Sequence, residues 1–306
     1  MNQETFNQIN LVSDIGGSAL KIDPDTANPW GIVAIDNNQF WVNLNGSSLL
    51  KLYNEEGKIL KTLPTADGPS GLVKVIKQIT GGPELILVSE SGVIAAYVPS
   101  IFPNPIVVKY TDITAVYKGV TILGNFLYVA NFNNLRVDVF DITTFRLLKS
   151  IVDPDLANAG YGPFNVYAYG NSLYISYALL EPVEKRDDVK GLGNGYINVY
   201  SPNKNLLKRI ANREQLNSPW AMLRLDDKLY VGNFGDGIIN IYDIFYDCTC
   251  KSFKNIKAVY CNKLSNKCNT PIQIDGLWGL IQTDSNSLLF ASGSQNEDHG
   301  LIGELV

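Results

Sequence analysis

Side chains with oxygen atoms that can bind metals recur along the sequence, next to apolar, strand-like runs. Glu90 and Asn233 directly follow such runs, and Asn165 and Asp275 lie where others begin. Because Ca²⁺ takes about six to eight oxygen ligands, loops that bring these four residues together would form a calcium site. The alternative is turn chemistry, since Asn, Asp and Gly also prevail in tight turns between strands.

The single histidine, His299, is a candidate general base. It follows Asn296, Glu297 and Asp298 and precedes a glycine. A histidine flanked by carboxylates suits proton transfer because its pKa lies close to neutral. The sequence identifies no serine or cysteine partner for it and has no second histidine for a typical zinc site. The alternative is a structural histidine that forms hydrogen bonds within a loop.

The four cysteines, Cys248, Cys250, Cys261 and Cys268, fall within 21 residues. Their spacing differs from the paired Cys-x2–4-Cys motifs that are typical of structural zinc sites. The cluster therefore predicts two disulfides, for which three connectivities are possible, and four free thiols are the alternative. Disulfides would indicate that the protein matures in an oxidising environment.

A repeated β-structure must position all of these side chains. Six times along the chain a turn of small residues leads into an apolar strand, and an aromatic-rich strand follows after a short gap. The repeats start at Pro29, Pro69, Tyr117, Pro163, Pro219 and Leu277. The regular return of such strands is typical of a β-propeller. One four-stranded sheet cannot bury both of its faces alone, so it stacks on the next sheet. The sequence thus predicts an all-β, six-bladed propeller.

The repeats cover the chain from end to end, so we predict a single propeller domain over residues 1–306. The predicted blades span residues 28–63, 68–110, 117–152, 161–210, 217–260 and 274–306. The last repeat holds only three strands. Residues 8–13 alternate between polar and apolar side chains, and we expect them to supply the missing outer strand and close the ring.

Two further features of the repeats concern the propeller axis and one of its faces. Trp30, Trp220 and Trp278 occupy one position of the repeat, which favours packing between blades over an aromatic ring around a central ligand. The loops after the second strands gather on one face of a propeller. The longest of them, residues 178–194, is rich in charged side chains, and we expect it either to contact a partner or to be merely flexible.

The overall charge limits the classes of partner. The formal net charge is −5 and the isoelectric point is near 5.0, which argues against nucleic acid as the main partner. No apolar run is long enough to span a membrane. The first residues lack the basic and apolar regions of a secretory signal. We therefore expect a protein that is intracellular or packaged into a particle.

Several motifs of the sequence resemble those of a known protein family. They are NPWG from Asn28, GNFGDG from Gly232, IDGLWGL from Ile274 and HGLIG from His299. In this order, across nearly the whole chain, they resemble an uncharacterised, mostly bacterial family of propeller proteins related to the NHL-repeat class. The resemblance implies a six-bladed propeller and brings no activity with it.

Two functional hypotheses follow. The first is a non-catalytic scaffold that presents one loop-rich face to a protein or glycan partner, and one form of it is a structural component of a virus-like particle. It depends on the lack of a phosphate-binding loop, a nucleophile motif and a histidine cluster in the sequence. The second is a metal-dependent hydrolase or lyase with a cation in the central channel, held by Glu90, Asn165, Asn233 and Asp275, with His299 as base.

Overall fold

The structure is a computed structural model that describes residues 5–35, 38–76, 81–246 and 256–306. Six antiparallel sheets follow one another along the chain, and each is a blade of a propeller. The predicted all-β, six-bladed fold is confirmed. Among the described residues no helix is long and apolar enough to cross a membrane.

Three short strands precede the first blade. They are β1 (Thr5–Phe6), β2 (Gln8–Ser13) and β3 (Lys21–Ile22). Blade one then consists of β4 (Pro29–Ile35), β5 (Gln39–Leu44), β6 (Leu49–Asn54) and β7 (Ile59–Pro64). Blade two consists of β8 (Pro69–Lys74), β9 (Leu85–Ser89), β10 (Val93–Tyr97) and β11 (Ile106–Thr111). In both blades the strands pair in chain order from the axis outward.

The middle of the chain forms blades three and four. Blade three consists of β12 (Tyr117–Leu123), β13 (Phe126–Asn131), β14 (Arg136–Asp141) and β15 (Leu147–Ile151). A short helix, α1 (Pro154–Asn158), follows, and its first turn is capped by Asp153, whose carboxylate accepts a hydrogen bond from the Leu156 amide at 3.2 Å. Blade four consists of β16 (Tyr161–Tyr169), β17 (Ser172–Leu179), β18 (Gly195–Ser201) and β19 (Leu206–Asn212).

The last two blades complete the ring. Blade five consists of β20 (Pro219–Leu225), β21 (Lys228–Asn233), β22 (Ile239–Phe245) and β23 (Lys257–Lys263), and β24 (Ser265–Asn266) follows it. Blade six takes β25 (Leu277–Gln282), β26 (Leu288–Ser292) and β27 (Leu301–Leu305) from the end of the chain.

The N-terminal segment closes the ring, as predicted. β2 pairs antiparallel with β27, with Gln8 opposite Leu305 and Ser13 opposite Leu301, so it is the fourth strand of blade six. β3 adds a fifth strand in parallel to β2, and β1 pairs in parallel with β24. Leu11 and Val12 on β2 are buried. The closure therefore combines a hydrogen-bonded strand with packed apolar side chains.

Hydrophobic clusters lie between neighbouring blades. Phe40 and Val42 of blade one pack with Leu289 and Ile302 of blade six, and each of the other neighbouring pairs of blades shares a similar cluster. The second strands are buried on both faces because each blade is covered on two sides, whereas an outer strand such as β7 is mostly exposed. This burial explains the apolar and aromatic residues of the second strands.

The predicted disulfides are not confirmed for the two cysteines that the structure describes. Cys261 lies on outer strand β23, at an irregularity in its pairing with β22, and Cys268 lies in a turn after β24. Both are exposed free thiols, and partial burial raises the pKa of Cys261. Cys248 and Cys250 lie outside the described residues, and their predicted bridging stays a prediction.

Candidate functional site

The innermost strand of every blade carries an irregularity at the same place. In each blade the pairing with the second strand shifts register just after the start of the repeat. Such a bulge redirects side chains, and here it directs them towards the propeller axis. The side chains concerned are those of Trp30, Ser70, Lys118, Phe164, Trp220 and Trp278. The next residue in blade one is Gly31, where a Cβ atom would lie 2.6 Å from the Ser70 carbonyl oxygen, so the neighbouring blade requires glycine there.

An aromatic layer fills the axis on the side of the loops between second and third strands. Trp278 stacks on Trp30 with ring centroids 3.6 Å apart and on Phe234 at 3.8 Å. Trp220 meets Trp278 edge to face at 5.8 Å, and Phe164 lies 5.7 Å from the same ring. All of these rings are buried. The geometry supports the interpretation of the tryptophans as packing residues.

Lys118 takes the place of an aromatic residue in blade three. Its side chain is only 2% exposed, and its Nζ lies 2.5 Å from Glu90 Oε1 and 4.9 Å from the centre of the Trp30 ring. Burial favours the neutral form of Lys118, but the charge of Glu90 outweighs it and raises the pKa of Lys118. Burial likewise disfavours the charged form of Glu90. The positive charge of Lys118 outweighs the effect of burial, so the pKa of Glu90 is lowered. The two residues form a largely buried ion pair beside the aromatic layer.

Amide side chains connect this ion pair to a second carboxylate. Asn45 donates a hydrogen bond to Glu90 Oε2 at 3.0 Å, and Asn28 donates one to Glu297 Oε2 at 2.7 Å. Asn28 in turn accepts a hydrogen bond from the Trp278 indole at 3.0 Å. Burial raises the pKa of Glu297. The amides thus fix two acidic side chains next to the aromatic layer.

The long loop of blade four passes across this cluster, and we call residues 180–194 the strap. Its start is ordered by Glu181, whose carboxylate accepts hydrogen bonds from the Val183 and Glu184 amides at 2.7 Å each. Further along, Arg186 donates a hydrogen bond to the carbonyl oxygen of Glu90 in blade two at 3.4 Å. The strap of blade four thus reaches past blade three to blade two on the loop face.

Three more charged residues of the strap face the cluster. Asp187 Oδ1 lies 3.8 Å from Lys118 Nζ, and Lys190 Nζ lies 4.1 Å from the centre of the Phe234 ring. The Oδ2 atom of Asp188 is buried, and the Ser218 hydroxyl group is a hydrogen-bonding neighbour of this carboxylate. Burial raises the pKa of Asp188. The centre of the loop face is thus an aromatic layer under a mixed set of charges.

Each of the four predicted calcium ligands has a hydrogen-bond or ion-pair partner within the protein. Glu90 is paired with Lys118, and Asn165 donates a hydrogen bond to the Trp220 carbonyl oxygen at 2.8 Å. Asn233 donates one to the Gln215 carbonyl oxygen at 2.8 Å, and Asp275 accepts one from the Gln295 amide at 2.8 Å. Among the described residues there is no group of three or more His, Cys, Asp or Glu that could hold a metal ion. The Ca²⁺ site stays a prediction that this geometry does not support.

A cavity of about 200 Å³ lies in the central channel along the inner strands. Ile32, Leu72, Val120 and Leu280 contribute to its wall, and Trp220 is shared with the aromatic layer. Asn165 is the amide side chain of this wall within the described residues. Thr121 and Tyr167 add hydroxyl groups, but the wall includes no carboxylate among the described residues, which disfavours a hard cation.

His299 lies at the closure of the ring. Its Nδ1 is 2.8 Å from Asp14 Oδ2, and the next amide, of Gly300, donates a hydrogen bond to Asp14 Oδ1 at 2.9 Å. The His299 carbonyl oxygen accepts a hydrogen bond from the Asn28 amide at 3.3 Å. The geometry supports the structural alternative, because these contacts fasten the segment after β2 to blade six.

Replacing His299 by alanine should therefore destabilise the fold slightly. We expect a loss of about 1 kcal/mol, because the His299 side chain is 40% exposed and solvent weakens the pair. The exposed neighbour Asp298 provides the control, as Asp298→Ala should leave the melting temperature unchanged. Equal losses in the two variants, measured by thermal unfolding, would contradict a specific role for the His299–Asp14 pair.

The sequence analysis missed Lys118 and the path of the strap. A signal for Lys118 was present, since a lysine occupies a repeat position that holds tryptophan in three other blades. The strap was recognised by its length and charge, but its contact with Glu90 joins residues 96 apart in the chain. No spacing in the sequence indicates such a contact.

Comparison with known proteins identifies viral relatives. The chain is 31% identical to "Uncharacterized protein L690" of Acanthamoeba polyphaga mimivirus, over 97% of this chain and 84% of the relative. It is 29% identical to "Uncharacterized protein R648" of the same virus, over 96% of this chain and 78% of the relative. No protein-family model matches the chain.

Solved structures that are similar to this one include propeller lyases. A catalytically inactive virginiamycin B lyase from Staphylococcus aureus with quinupristin has a TM-score of 0.62 and 13% identity, with 99% of each chain covered. A streptogramin B lyase has a TM-score of 0.58 and 12% identity, over 98% of this chain and 97% of the other. Hydrazine synthase of Kuenenia stuttgartiensis has a TM-score of 0.55 and 13% identity, over 94% of this chain and 98% of the other. At such low identity the likeness shows the fold alone.

Proposed function

The chain belongs to the family of these mimivirus proteins, and we propose that it is a non-catalytic binding scaffold of a viral particle. In this proposal the loop face contacts a protein or a glycan. The observation that best supports this proposal is that the propeller axis is closed on that face. The aromatic layer fills the axis, the Lys118–Glu90 pair lies beside it, and the strap crosses above.

A closed axis supports binding at the surface better than catalysis in the channel. A small-molecule enzyme needs a concave site that its substrate can enter. From the loop face a substrate would have to displace the strap and several packed aromatic rings before reaching the central cavity. The strap instead offers exposed charged side chains, Arg186 among them, to a partner. This is the arrangement that a rigid scaffold with a contact loop requires.

The proposal is tested by the binding of the purified protein to mimivirus particles and to a glycan array. We expect binding that Arg186→Ser on the loop face weakens at least several-fold. Arg146→Ser is the matched control, because Arg146 is an exposed arginine in the turn between β14 and β15, on the opposite face. Binding that falls equally in both variants, or binding to neither surface, would contradict the proposal.

A further inference from the structure

One charged side chain of the strap occupies an aromatic site in the way that a ligand would. The ammonium group of Lys190 lies 4.1 Å above the centre of the Phe234 ring. We propose that this is a binding site for a primary alkylammonium group, which the strap's own Lys190 occupies in the absence of a ligand. The inference deepens the proposed function, on which it rests, because it names the chemistry that the loop face would recognise.

The aromatic half of the site is rigid. Phe234 stacks on Trp278 with centroids 3.8 Å apart, and Trp278 stacks on Trp30 at 3.6 Å. A cation above an aromatic face is attracted by the negative charge density of the ring, and the attraction is strongest where water is excluded. The Phe234 side chain is buried although Lys190 is exposed. The ammonium group therefore covers a ring face that the packing below holds in place.

The anionic half of the site is incomplete. The buried Asp188 carboxylate has a neutral donor beside it, the Ser218 hydroxyl group, but no cation at ion-pair distance among the described residues. Glu297 receives one hydrogen bond, from Asn28. Burial raises the pKa of both carboxyl groups, and the positive charge of Lys190 opposes this in both, so the ammonium group is close enough to affect them. Both acids would gain from a cation that approached them more closely.

Lys190 itself does not make that approach. It forms no ion pair within 4.0 Å among the described residues, and its contact is the Phe234 ring. The backbone next to Lys190 is held in place, because the Val189 amide donates a hydrogen bond to the Leu179 carbonyl oxygen at 2.8 Å. An alkylammonium group without this tether can lie on the ring and also donate to Asp188 Oδ2. Lys190, whose side chain is exposed, can move into solvent at little cost.

A comparison with Lys118 shows why Lys190 can be displaced. Lys118 is buried, and Glu90 compensates its charge at 2.5 Å. Removing Lys118 would leave Glu90 as an unpaired buried carboxylate, so Lys118 is part of the fold. Lys190 has no such partner among the described residues and is the replaceable cation. The ligand can come from two sources, a lysine side chain of a partner protein or a free polyamine, and both carry the primary ammonium group.

The test measures binding of two probes, N-acetyl-lysine methylamide and spermidine, to the full chain by isothermal titration calorimetry. In Lys190→Ser the internal competitor is gone, and we expect both probes to bind about tenfold more tightly than to the unmodified protein. Adding Asp188→Asn to Lys190→Ser should abolish this gain, because the anionic half is lost. Lys185→Ser, an exposed lysine of the same strap, is the control and should change nothing.

The outcomes are distinguishable. Tighter binding of the lysine amide alone supports a partner's side chain as the source, and preferential binding of spermidine supports a polyamine. N-acetyl-norleucine methylamide has no charge and should not bind any variant. Unchanged or weaker binding of both probes to Lys190→Ser, with an unaltered melting temperature, would overturn the inference. Because the probes require no viral partner, such a failure would leave the particle-binding test of the proposed function unaffected.

Discussion

A chain that lacks residues 1–14 should melt about 10 °C or more below the full chain, if it folds at all. The deletion removes the outer strand of blade six and with it the buried side chains of Leu11 and Val12. Burying each such side chain contributes about 1.5–3 kcal/mol. The pairing with β27 is also lost, and the outer edge of β27 becomes exposed. Since the ring depends on every blade being covered on both sides, the loss should affect both neighbours of blade six.

Two point variants separate the packing of this strand from its mere presence. Val12 is fully buried, so Val12→Thr places a hydroxyl group among apolar side chains and should cost about 1–3 kcal/mol. Ile9 lies on the same strand but is 36% exposed, and Ile9→Thr should be nearly neutral. The melting temperatures of the two variants are compared in thermal unfolding experiments that are monitored by circular dichroism. A truncated chain with the same melting temperature as the full chain would show that the closure contributes nothing to stability.

The architecture could be predicted because its cause is periodic. Each blade must bury both faces of its second strand, so apolar and aromatic residues return at a regular interval, as in Leu85–Ser89 and Phe126–Asn131. The closure was predictable for a related reason, since the last repeat lacks a strand and Gln8–Ser13 has the pattern of one. The parallel strand Lys21–Ile22 was missed, because two exposed residues carry no pattern.

The candidate site was much less predictable, because side chains with identical chemistry differ in their partners. Asn233 and Asp275 were candidates for a metal, but each one satisfies a backbone group of another segment, 18 and 20 residues away in the sequence. His299 resembled a base flanked by acids, whereas its partner is Asp14, 285 residues away in the sequence. Such contacts depend on how the ends of the chain meet, and local spacing does not reveal them.

Replacing Lys51 by methionine should destabilise the protein by about 3 kcal/mol. Lys51 is buried in blade one, and its Nζ lies 2.8 Å from Asp23 and 2.8 Å from Asp25. Tyr53 donates a further hydrogen bond to Asp23 at 2.6 Å. Asp25 is half exposed and can be solvated without Lys51, but Asp23 is buried and cannot. The cost arises chiefly from the carboxylate that the substitution leaves behind.

In a thermal unfolding experiment this loss corresponds to a melting temperature lower by roughly 5–10 °C. The matched control is Lys58→Met, which replaces an exposed lysine in the next turn of the same blade and should shift the melting temperature by less than about 2 °C. A similar shift in both variants would mean that the ion pairs of Lys51 contribute no more than an exposed lysine does.

The pH dependence of the difference in stability between the unmodified protein and Lys51→Met should identify Asp23 as the origin of that difference. Burial alone would raise the pKa of Asp23, but hydrogen bonds from Lys51 and Tyr53 outweigh it and lower the pKa in the folded protein. A lowered pKa stabilises the fold above the unfolded value of about 3.9, and this contribution disappears as the pH falls through the folded value. In Lys51→Met burial dominates, the pKa of Asp23 rises, and acid relieves the unpaired charge. The stability gap between the two proteins should therefore be largest near neutral pH and narrow below about pH 4, whereas a constant gap would point to lost packing alone.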